Sequence, residues 1–146
     1  MPVLKLLGVS TLAPILEPTI SRSKARHSLT DIAAHFETHP KLRRVLYPGL
    51  ASHPGHQLAA GQMTRGFGGM LSLLVDGDAA MAKALIAHLQ LFILATSLGG
   101  VGSLVEHRAT VEGPGSLVPD NLIRMSVGIE HVDDLIGDLE QALDRL

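Results

Sequence analysis

One guanidinium, Arg124, interrupts the apolar run Leu122 to Val127. Strand alternation sets Ile123, Met125 and Val127 on one face and Leu122, Arg124 and Ser126 on the other. The first face reads as core, so Arg124 points away from it. An arginine so placed can be one half of a structural ion pair or a solvated side chain. It can also be an anion site, because its planar fork grips a carboxylate through two parallel hydrogen bonds. Alternation alone leaves these alternatives open.

The other chemically capable groups are weaker candidates. His53 and His56 stand three apart in "HPGH". The Pro-Gly step between them demands a turn, and no third ligand lies close in sequence. Both are therefore expected to hydrogen-bond within that turn, and no metal site is expected. The segments "GFGG" (66–69) and "SLGG" (97–100) are not phosphate loops, since no Gly-Lys-Ser/Thr follows and the G-x-G-x-x-G pattern is absent. Their glycines mark turns with positive φ or close backbone approach. No G-x-S-x-G elbow exists for a serine hydrolase. The absence of cysteine excludes thiolate catalysis, disulfides and Cys-ligated zinc.

These groups must be positioned by a regular frame. Leu29, Ile32, Ala33 and Phe36 recur at helical spacing, and Pro40 ends that helix. "LRRVLY" (42–47) reads as a strand, followed by a turn-rich stretch with a short helical turn over 57–63. "MLSLLVDG" (70–77) is a second strand. A helix over 78–89 buries Met81, Leu85, Ile86 and Leu89, with Asp78 as its N-cap. Strands are expected over 91–95, within 102–109 and over 121–129, with a loop at 111–119. The clearest helix is 131–146, striped by Val132, Leu135, Ile136, Leu139, Ala142, Leu143 and Leu146, with Asp133 and Asp134 in its first turn. Successive strands without an intervening helix between 91 and 129 predict an α+β fold: a mostly antiparallel sheet with helices on one face.

Composition fits one domain. The chain has 146 residues, 46% hydrophobic and 18% charged, which suffices for a packed core. With three Phe, one Tyr and no Trp, that core must be largely aliphatic. The net charge is −2 and the longest basic run is Arg43-Arg44, which argues against nucleic acid as a partner. The first twenty residues are apolar, but Pro14 and Pro18 cut them short of the roughly 18 to 20 residues that a membrane span needs. A cytoplasmic, non-membrane protein is expected.

Five motifs in order carry a resemblance: Y-P-G-L (47–50), H-P-G-H (53–56), G-F-G-G-M-L-S (66–72), S-L-G-G (97–100) and L-I-R-M-S-V-G-I-E (122–130). Together they resemble the C-terminal part of the Cys/Met-metabolism family of pyridoxal-phosphate enzymes, which includes cystathionine γ-synthase, cystathionine γ-lyase, cystathionine β-lyase and methionine γ-lyase. The resemblance implies the small C-terminal domain of a fold-type I enzyme over residues 23–146, with residues 1–22 an unmatched N-terminal segment. It also implies that Arg124 binds the α-carboxylate of an amino-acid substrate, and that Ser97 lies beside that carboxylate.

The departures from the family are equally informative. Family members carry a larger N-terminal domain that holds the cofactor, including the Schiff-base lysine in a Ser-x-Thr-Lys motif. The lysines here are Lys5, Lys24, Lys41 and Lys83, and none sits in such a motif. Gly102 replaces a glutamate common in the family, and the loop after His107 is shorter than in many members. The expectation is a substrate-side domain without catalytic or cofactor-binding residues of its own. Pyridoxal phosphate would belong to the full-length relatives, which perform β- or γ-elimination or replacement on sulfur amino acids. The alternative is a non-catalytic domain that self-associates or binds a partner, and a homo-oligomer is expected in either case.

Overall fold

The computed structural model describes residues 29–146. Lys5, Lys24, the apolar start of the chain and Ser28, whose spacing to Asp31 resembles a helix-capping signal, lie outside the described residues; Asp31 lies just inside them. The described part of helix α1 covers 29–36. It is followed by β1 (Leu42–Leu46), α2 (His56–Gln62), β2 (Met70–Val75), α3 (Ala79–His88), β3 (Ile93–Leu94), β4 (Leu104–His107), α4 (Arg108–Glu112), β5 (Leu122–Ser126) and α5 (Val132–Asp144). The five strands form one sheet in the order β1-β2-β5-β4-β3. Every pairing is antiparallel except β3 with β4. This is the expected α+β architecture.

One face of the sheet carries the core. Val45, Leu73, Val75, Val105, Ile123 and Met125 are buried there against Leu29, Ile32, Ala33 and Phe36 of α1. Ala82 and Leu85 of α3, and Leu135, Leu139, Ala142 and Leu143 of α5, complete the cluster. The helices on this face follow from their 3.6-residue stripes, each of which must cover a strand face of period two. Among the described residues, Phe36, Tyr47 and Phe92 add large aromatic rings to an otherwise aliphatic core. Asp78 caps α3 as expected, its carboxylate accepting the backbone N–H groups of Ala80 and Met81.

Two elements differ from the sequence expectation. The strand predicted over 91–95 pairs with β4 only at Ile93 and Leu94. The cause lies on α5, where the buried carboxylate of Asp138 accepts the backbone N–H groups of Gln90, Leu91 and Phe92 at 2.8, 2.8 and 3.4 Å. Those donors are spent before the strand can begin. The second difference is α4, a short helix where strand end and loop were expected. An ion pair between Arg108 and Glu112, one turn apart at 2.9 Å, supports it.

Candidate functional site

β5 lies between β2 and β4, and register brings Ser72, Arg124 and Glu106 into one cross-strand row, with Leu46 next to Ser72 on β1. Alternation turns this row to the face opposite the helices. Arg124 is therefore lifted out of the core by its position in the strand, as expected. The side chain is nevertheless not simply solvated: only 18% of it is exposed.

Its environment is built by three elements. Glu106, 1% exposed, places Oε1 at 3.0 Å from Arg124 Nε and at 2.9 Å from Arg108 Nη1. The two contacts are not equivalent. Arg108 Nη1 donates an aligned hydrogen bond to Glu106, whereas Arg124 Nε is in ion-pair contact with it. The aligned hydrogen bond of Arg124 runs from Nη2 to the Thr96 carbonyl at 3.0 Å. Among the described residues, Glu106 Oε2 is buried with no hydrogen-bond partner. Electrostatics follow the same division. Burial is the largest influence on Arg124 and pulls its pKa below the ordinary arginine value, Glu106 acts against this, and Arg108 adds to it. The pKa of Arg108 is raised, chiefly by its hydrogen bond to Glu106. Both guanidinium groups remain charged.

The loop between β3 and β4 supplies Thr96 and, next to it, Ser97. It is fastened to β5 and its continuation at several points. The Gly99 N–H donates to Ser126 Oγ at 2.9 Å, and the Ile129 N–H donates to the Val101 carbonyl at 2.9 Å. Ser103 donates to Glu130 through both its backbone N–H and its hydroxyl, at 2.7 and 2.9 Å. Two glycines make this approach possible. Gly99 adopts φ +76°, and a Cβ at Gly128 would stand 2.2 Å from the Val101 carbonyl oxygen. Ser97 is exposed on this loop. The structure thus brings the Ser97 loop to Arg124 through the Thr96 carbonyl.

Of the histidines of "HPGH", His53 bonds within the turn as expected, whereas His56 reaches back out of it. His53 Nδ1 accepts the Gly55 N–H at 3.0 Å, and His56 Nδ1 lies 2.7 Å from the Pro48 carbonyl. Burial first, then Arg44 and His56, pull the His53 pKa below its ordinary value. Among the described residues, no group of three or more His, Cys, Asp or Glu is arranged to hold a metal ion.

Sequence reasoning missed Glu106, Arg108 and Asp138. The i, i+2 spacing of Glu106 and Arg108 was visible, but their meeting with Arg124 depends on the register between β4 and β5. Among the described residues the lysines are Lys41 and Lys83. Lys41 donates its ammonium to the Leu143 carbonyl at 2.8 Å, at the end of α5. Lys83 is exposed on α3, in the helix layer across the sheet from Arg124. Neither amine faces the Arg124 row.

The sequence model of the Cys/Met metabolism PLP-dependent enzymes matches residues 4–144, and so reaches into the first 22 residues. The chain is 53% identical to a cystathionine gamma-synthase of Mycobacterium tuberculosis over 77% of its own length and 30% of that protein's. A cystathionine beta-lyase of Coxiella burnetii is 44% identical, covering 94% of this chain and 36% of the relative. The crystal structure of metB from Corynebacterium glutamicum superposes with a TM-score of 0.82 at 44% identity, over 86% of this chain and 34% of that one. The chain therefore spans about a third of the length of these relatives. By sequence and by fold, this chain belongs to the Cys/Met metabolism family of pyridoxal-phosphate-dependent enzymes.

Proposed function

We propose that this chain is the substrate-side domain of a trans-sulfuration enzyme, over residues 23–146, and that it is catalytically silent alone. Arg124 holds the α-carboxylate of a cystathionine-like sulfur amino acid, with Ser97 beside it. Elimination or replacement at the β or γ carbon belongs to a lobe bearing the cofactor lysine. One observation carries the reading: among the described residues Arg124 is tied to Glu106 through Nε and to the Thr96 carbonyl through Nη2, and Nη1 has no partner. A guanidinium has five N–H donors, so a carboxylate can be received without breaking the Thr96 bond.

Two measurements test the proposal. Mixing the purified chain with pyridoxal phosphate, reducing with borohydride and mapping the peptides should give no single trapped lysine. One lysine labelled stoichiometrically would contradict a silent domain. Titration with sodium acetate, followed on the side-chain Nε–H resonance of Arg124, should shift that resonance and leave Arg43 unmoved. Equal shifts at both would remove the carboxylate role.

A second reading has its own support. Leu91, Ile93, Leu94, Leu98 and Val101 are exposed around β3, the edge strand, with Ile93 and Leu94 at 63% and 68%. Among the described residues β3 pairs on one side only, and such a patch on a sheet edge favours association. On this reading the chain is a self-associating domain. Sedimentation should show a dimer or larger species that Ile93→Lys returns to monomer; a monomer at every concentration excludes it.

A further inference from the structure

Glu106 presents an unusual arrangement for a buried carboxylate. Two guanidinium groups converge on Oε1, one with an aligned hydrogen bond and one without, while Oε2 has no partner among the described residues. A buried acid with one empty oxygen ordinarily turns to use both. Arg124 Nε already stands 3.0 Å from Oε1, and a guanidinium beside a carboxylate favours a two-point pair. Arg108 fixes the orientation of this carboxylate through Oε1, from β4's own continuation, and is itself braced by Glu112 at 2.9 Å.

The geometry points to Arg108 as a positioning residue: by occupying Glu106, it keeps Arg124 from closing into a bidentate pair and so leaves the Arg124 fork open to an external carboxylate. The inference rests on the carboxylate role given to Arg124 above. Its physical basis is competition for one anion. An arginine neutralised by a two-point internal carboxylate has little charge or geometry left for a second. An arginine whose counter-ion is shared with another cation keeps both. Arg108 also adds positive charge near the site without approaching through the strand. With its side chain 31% exposed on a short helix that buries no residue, Arg108 can be changed without opening the core.

The test uses the full chain and two readouts. The first needs no ligand: hydrogen exchange at Arg124 Nε–H, assigned by loss of its resonance in Arg124→Lys. Arg108→Ala should slow this exchange about tenfold, as expected for gaining an aligned bond between charged groups. Adding Glu106→Gln to Arg108→Ala should restore the faster rate. The second readout is the acetate titration, in which Arg108→Ala should weaken the Arg124 response about tenfold and the double variant should recover it. Arg108→Lys, which keeps the charge but offers no fork, should fall between. Unchanged exchange in Arg108→Ala, or slowing that Glu106→Gln does not reverse, overturns the inference. A normal exchange pattern with no acetate response in the unaltered chain instead removes the carboxylate role and leaves the Arg108–Glu106 competition standing.

Discussion

The two faces of one sheet obey different rules. On the helix-packed face, Leu73, Ile123 and Val105 meet residues of three helices, and the contacts are apolar and without alternatives. On the opposite face, Ser72, Arg124 and Glu106 lie in one row, and two cations contend for one acid. The first face has one good arrangement because close packing tolerates few others. The second carries charged partners that side-chain rotation alone can exchange, with no change of the backbone. A binding surface needs the second kind of face, and a folded domain needs the first.

The sharpest way to expose the contrast is to cut into the packed face. Leu139→Ala on α5 should cost about 2 to 5 kcal/mol in denaturant unfolding, as buried leucine truncations do. Leu122→Ala, on the partly covered face, should cost about 1 kcal/mol or less. Equal losses would erase the distinction. Asp138→Ala should come next, at about 3 kcal/mol, because three backbone N–H groups lose a buried charged acceptor. The amides of Gln90, Leu91 and Phe92 should then exchange faster, whereas Asp138→Asn should retain part of the effect.

Smaller effects belong to the open face. Arg124→Ala should lower stability by only about 1 kcal/mol, since Arg108 still pairs with Glu106. A loss of about 3 to 5 kcal/mol would mean that Arg124 is an obligate structural partner of a buried charge. The smallest effect is predicted at His53. Its folded-state pKa lies below the ordinary 6.5, mainly through burial. The unfolded chain therefore binds the proton more readily. Stability contributed by neutral His53 is complete above that ordinary value and declines as pH falls from it toward the folded value. His53→Gln should flatten this part of the stability profile measured between neutral and mildly acidic pH. An unchanged slope would show that the turn does not disfavour the charged ring.

Much of the frame was legible before any coordinates. Leu29, Ile32, Ala33 and Phe36 announced a helix by spacing, and all four are buried. The stripe from Leu135 to Leu143 behaved likewise, with Val132, Ile136 and Leu146 at its partly covered margin. Asp78 was readable as a cap because capping is a contact between neighbours in sequence. The shortened β3 was not, because the group that intercepts its donors stands 46 to 48 residues away on α5. Helix α4 was hidden by glycine-rich surroundings and by a sequence too short for periodicity to register.

Local sequence determined which residues face the core, since burial follows from periods of 2 and 3.6 that adjacent residues display by themselves. It placed Arg124 on the outward face of a strand for the same reason. The ordered motifs, taken together, indicated the family. Only the tertiary structure decided what Arg124 meets. Glu106 lies 18 positions earlier and Thr96 a further ten, and both reach it through strand register and the path of one loop. Register is a relation between distant segments, set by the packing of the whole sheet rather than by either strand alone. That is why the charge was visible in the sequence and its partners were not.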